Sequence, residues 1–75
     1  MTREELIQTF KTHWRVRADV LDLKPKTGKR EKAFLEYLVG FVTAVGAFDV
    51  KLGESLHGLV LVASIRGESE ILKDQ

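Results

Sequence analysis

The chain has no cysteine, one proline and one methionine in 75 residues. Without thiols, neither a disulfide nor a thiolate zinc site can hold so small a core together. The same absence fits a reducing compartment, so a cytoplasmic setting is the expectation. The sequence shows no basic-then-apolar leader, because MTREELIQTFK opens with mixed charge. A membrane span needs roughly 20 apolar residues. The longest uncharged run, 37–48, has twelve, and extending it backward takes in Glu36, so no membrane partner is expected. Below roughly 70–80 residues a domain generally needs added support. With thiol chemistry excluded, regular helix packing and self-association remain.

Hydrophobic residues make up 44% of the chain and charged residues 31%, with four Phe, one Trp and one Tyr. That composition describes a folded domain rather than a disordered tail. Charge is uneven. Residues 11–32 carry eight Lys or Arg against Asp19, Asp22 and Glu31, whereas residues 33–75 carry three basic groups against six acidic ones. A chain polarised in this way can pair with itself or present a basic patch.

Thr2-Arg3-Glu4-Glu5 has the form of a capping box. Leu6, Ile7, Phe10 and Trp14 follow on one helical face, with Glu4, Gln8, Lys11 and Arg15 opposite. Helix is predicted from Arg3 to about His13, fraying into an extended or single-turn VLDL before Lys24-Pro25. KPKTGK, residues 24–29, is a loop, and Thr27 is the N-cap of the next helix.

That second helix is predicted from Gly28 or Lys29 to Phe48 and carries three stripes. Phe34, Leu38, Phe41, Val45 and Phe48 are expected to face the core. Leu35, Val39 and Val42 lie beside them, and Ala33, Tyr37, Gly40, Ala44 and Ala47 form a third stripe of mostly small residues. A helix apolar over half its circumference belongs at the centre of the fold. Gly46 and Gly53 are expected to interrupt the pattern, with a third element opening at Glu54 or Ser55. As a helix, Leu52, Leu56, Leu59, Val60 and Ala63 share a face and Gly67 caps the end; as a strand, LVLVASI over residues 59–65 is a short β-branched run. Length does not separate the two, and helix is favoured. Residues 69–73 add one turn, and Asp74 and Gln75 are expected to fray.

Sites of chemistry are sparse. His13 and His57 have no metal-ligand spacing, and no metal or cofactor is expected. Ser55, Ser64 and Ser69 lack the surroundings of an activated nucleophile, and Ser55 reads as a cap. A phosphate loop fails at Leu23 and Arg30, which stand where glycine and a hydroxyl are needed. Lys24, Lys26, Lys29, Arg30 and Lys32, supported by Lys11, Arg15 and Arg17, are the candidate contacts of a nucleic-acid backbone. Reversing Lys29 and Arg30 to Glu is expected to spare folding while abolishing such contacts.

EYLVGFVTAVGAFD followed by LHGLVLVASIRGES resembles the small helical orphan proteins encoded by bacteriophages and prophages. The resemblance covers most of the chain and carries over no functional residue. It implies a bacterial cytoplasmic setting and a nonenzymatic accessory role.

The expectation is a single all-α domain of three helices around a long apolar one, acting as a protein-interaction module with a protein partner still to be identified. Self-association, a homodimer being favoured, is expected through Ala33, Tyr37, Gly40, Ala44 and Ala47. The alternative is a DNA-binding regulator using the basic 11–32 segment.

Overall fold

The computed structural model describes residues 2–73. Among them are four helices and no strand: α1 (Arg3–Val20), α2 (Gly28–Phe48), α3 (Val50–Arg66) and α4 (Glu68–Leu72). The fold is all-α. LVLVASI lies within α3, which corrects the strand alternative. Leu56 and Ala63 are buried while Leu61 and Val62 are exposed, a helical rather than an alternating pattern. The expected fraying of Asp74 and Gln75 falls outside the described residues.

At the start of α1 the capping box is complete: the Glu5 amide donates to Thr2 Oγ1 at 3.1 Å and the Thr2 amide to Glu5 Oε1 at 3.0 Å. The bond from the Thr2 amide, followed by that from the Thr2 hydroxyl, holds the Glu5 carboxyl below the ordinary glutamate range. A depressed folded pKa contributes stability above the unfolded value, and that contribution is lost as pH falls through the folded one. Thr2→Ala removes the hydroxyl and keeps the amide, so carboxyl-resolved NMR titration is expected to return Glu5 only part of the way toward its ordinary value. A Glu5 midpoint unmoved by Thr2→Ala would dismiss the hydroxyl as a contributor and leave the amide as the cause.

α1 does not fray after His13. It continues to Val20 because Trp14 and Ala18 extend the buried face begun by Phe10. It then ends in a Schellman motif: Leu23 N–H donates to Ala18 O at 2.9 Å and Asp22 N–H to Asp19 O at 3.1 Å. The left-handed position is held by Asp22, at φ 51°, and Leu23 folds back into the core beside Ala18. Asp tolerates this backbone less well than glycine does. Asp22→Gly is expected to raise stability by about 0.5–1 kcal/mol in urea titration. The longer helix also corrects the placing of Lys11. Ile7, Lys11, Trp14 and Ala18 recur at intervals of four, three and four, so Lys11 joins the inner face and is only 4% exposed. Its methylene stem packs as apolar surface.

Thr27 caps α2 by accepting from the Arg30 amide at 3.2 Å. α2 packs against each of the other three helices, as its stripes require. Phe10 of α1 sits against three of its rings: Phe34 edge-on at 5.7 Å, Tyr37 stacked at 5.4 Å and Phe41 at 5.1 Å. Trp14 meets Phe34 edge-on at 5.3 Å. Edge-to-face and offset contacts of this kind add to simple burial. Phe48, expected in the core, is instead 95% exposed. It lies about 200° round the helix from Gly46, and Gly46 is the residue that faces α3.

Gly46 and Gly53 do not interrupt the helices. They are where the two helices touch. Asp49 alone joins α2 to α3: its N–H donates to Val45 O at 2.8 Å and its side chain accepts from the Leu52 amide at 3.1 Å. It caps the end of one helix and the start of the next, so α3 opens at Val50 rather than at Glu54 or Ser55. Ser55, read as a cap, lies within the helix and donates to Leu52 O. Gly67, at φ 83°, ends α3 and turns the chain into α4.

Candidate functional site

α4 carries Glu68 inward, where it is 8% exposed. Glu68 Oε2 accepts from Trp14 Nε1 at 2.7 Å, and Oε1 accepts from Arg30 Nε. Arg30 Nη1 donates to Leu23 O at 2.8 Å, and the guanidinium lies 5.7 Å from the Trp14 ring centroid. One buried carboxylate thus ties α4 to α1, to α2 and, through Arg30, to the loop between them. Each of its oxygens accepts one hydrogen bond, so both are committed to joining the helices. No local signal marked Glu68: its partners are 54 and 38 residues away.

Arg30 is accordingly turned to the interior, and Lys11, a supporting candidate contact, is buried in α1. Lys24, Lys26, Lys29 and Lys32 are exposed, and Lys24 pairs with Asp22 at 2.9 Å. Arg17 lies over the Tyr37 ring at 5.3 Å. The Lys29 and Arg30 double reversal is not silent for folding, because Arg30→Glu would set a second carboxylate against buried Glu68.

Ser64 donates to Val60 O at 2.8 Å, as Ser55 does to Leu52 O at 2.8 Å, so both hydroxyls are bound to their own helix. His57 lines a shallow hollow with Gly46, Val50, Gly53 and Glu54. Among the described residues no three His, Asp or Glu side chains are grouped to hold a metal ion, and no helix is long and apolar enough to cross a membrane.

A hollow of about 570 Å³ lies between α1 and α2. Leu21, Ala33, Tyr37, Gly40 and Phe41 form its apolar lining, and Arg17 and Glu36 stand at its rim. A second hollow of about 330 Å³ shares Arg17, Leu21 and Tyr37 and adds His13, Val16 and Val20. Together they make one groove along the C-terminal half of α1, with Tyr37 between them.

The third stripe of α2 therefore divides. Ala33 and Tyr37 are half-covered by their own chain and line the groove with Gly40. Ala44 and Ala47 are exposed and lie outside that lining. A β-carbon on Gly40 would meet nothing within 4 Å, so the intramolecular fold does not call for glycine there. Within the chain the close helix approach is at Gly46 and Gly53. Reading α2 alone missed the share of the groove that α1 contributes, Arg17 and Leu21. The i, i+4 spacing of Val16 and Val20 was the available signal.

Comparison with protein-family models, with curated proteins and with solved structures finds no match to this chain.

Proposed function

We propose that the chain is a nonenzymatic protein-interaction module that self-associates, with the groove beside Tyr37 as its contact surface. The observation that carries this reading is the groove itself. It is a concave apolar surface with two opposite charges at its rim, continued by exposed Val16, Val20 and Leu21. Exposed apolar surface of that kind, edged by charge, is what partner sites present. The glycine at position 40 supports it. Mid-helix glycine costs about 1 kcal/mol relative to alanine, and its free space here allows another backbone to come close. The nonenzymatic part rests on Ser55 and Ser64, whose hydroxyls donate to their own helix, and on Glu68, whose carboxylate joins Trp14 to Arg30 in the core.

Gly40→Arg tests the reading because the position is open. The variant is expected to keep or raise the melting temperature and to lose self-association in light scattering after gel filtration. The wild-type protein is expected to run larger than a monomer at high micromolar concentration. A wild-type monomer there would sink the proposal.

A further inference from the structure

α4 reaches its docking site through a single-residue joint. Gly67, at φ 83° and ψ −178°, turns α3 back into α4. That backbone is essentially restricted to glycine. A β-carbon there would also meet Glu31 Oε2 at 3.1 Å. The site that receives α4 is built by other elements. Trp14 Nε1 and Arg30 Nε hold the two oxygens of Glu68, and Ile71 is buried in the core. The Lys73–Glu70 pair, at 3.1 Å, lies inside the same segment and moves with it.

With Gly67 in a helical conformation, α3 and α4 would run as one helix from Val50 to Leu72. Leu61, Ile65, Glu68 and Leu72 would then share a face, at spacings of four, three and four. In the closed chain Leu61 and Ile65 on that face are 58% and 82% exposed. A straight helix therefore carries Glu68 to the side that its own chain leaves uncovered. The hollow that spans the joint, lined by Leu61, Val62, Ile65, Arg66 and Glu70, would open out. Straightening thus strands the Glu68 carboxylate and uncovers Trp14 and Arg30, unless a second copy supplies what each has lost.

We infer that Gly67 is a hinge at which two copies exchange α4, each copy's Glu68 docking between Trp14 and Arg30 of the other. Fit is not in question, because the exchanged segment is the one the site already holds. What the dimer adds is cover for Leu61 and Ile65, which lie on the face that enters the second copy. Short joints favour exchange of this kind. Glycine frees the turned backbone of strain and so keeps the closed form competitive. This exchange is independent of the groove beside Tyr37.

Gly67→Ala tests it, in a Gly40→Arg chain whose groove is blocked. Alanine penalises the turned backbone, and a dimer relieves two such hinges. The double variant is expected to dimerise at least about tenfold more tightly than Gly40→Arg alone in sedimentation equilibrium. A double variant that is helical by circular dichroism yet monomeric at high micromolar concentration overturns the exchange. Charge reversal shows whether the contact crosses between chains. Added to the double variant, Arg30→Glu and Glu68→Arg are each expected to suppress the dimer, because every site then sets like charges together. Refolded as an equimolar mixture, they are expected to give a 1:1 dimer of two 8.5-kDa chains, in which each site pairs opposite charges. A mixture that stays monomeric, or either reversal dimerising alone as tightly as its parent, means that α4 is not exchanged. None of these outcomes depends on whether the wild-type groove associates.

Discussion

Gly53→Ala is expected to lower the melting temperature by roughly 8–16 °C. A β-carbon at position 53 would stand 2.5 Å from Gly46 Cα and 3.0 Å from Gly46 N. Both are backbone atoms, so no rotamer change relieves the overlap and the two helices must separate. Overpacking of this kind costs roughly 1–3 kcal/mol and occasionally more. The better helix propensity of alanine returns up to about 1 kcal/mol. With backbone on both sides the upper end of that cost applies, and the net loss of about 2 kcal/mol converts to the stated shift at about 4–8 °C per kcal/mol for a domain of this size. The contact is asymmetric, which supplies the control. A β-carbon on Gly46 would lie 3.8 Å from Gly53 Cα, an ordinary separation. Gly46→Ala is therefore expected to be neutral or stabilising. Equal melting temperatures for the two variants would rule out the crossing as the origin of the effect.

Glu68→Ala is expected to be at least as damaging, at roughly 3 kcal/mol by denaturant titration. It leaves the Trp14 indole N–H without its acceptor and Arg30 without its counter-ion. Removing one member of a buried pair strands the other, typically at 3–5 kcal/mol. The lower end applies because the Arg30 side chain keeps 17% of its surface in solvent and a second acceptor in Leu23 O. Glu68→Gln retains an oxygen for Trp14 but loses the charge, so a smaller loss of about 1–2 kcal/mol is expected. If alanine and glutamine at position 68 prove equally mild, Glu68 does not hold the helices together. Arg30→Glu should rank with Glu68→Ala, since it sets two carboxylates against each other.

These two sites mark where the sequence was legible and where it was not. The caps at Thr2, Thr27 and Gly67 involve residues within a few positions of one another, and local pattern identifies them. The end of α1 escaped because the left-handed position is occupied by Asp22 rather than by the glycine that usually announces it. The α2–α3 joint escaped because two glycines read as breakers, when each sits in a helix and only their meeting in space explains them. Glu68 and Arg30 escaped for the same reason: their relation spans 38 residues and leaves no periodic trace. The proposed interaction site was half legible. Ala33, Tyr37 and Gly40 were visible as a stripe, but a groove needs two walls, and the second comes from a stretch of α1 that sequence pattern assigned to a fraying end.

The Trp14–Glu68 hydrogen bond can form only late in synthesis. The largest aromatic side chain of the core is made early, and the acceptor for its indole N–H arrives only 54 residues later. Until then α1 and α2 can stack their rings, but the buried donor is unsatisfied and Arg30 has no counter-ion. A ribosome-bound intermediate would therefore hold its helices loosely. The chain should lock into its final packing as a single unit, after translation has passed Glu68, rather than helix by helix as it emerges.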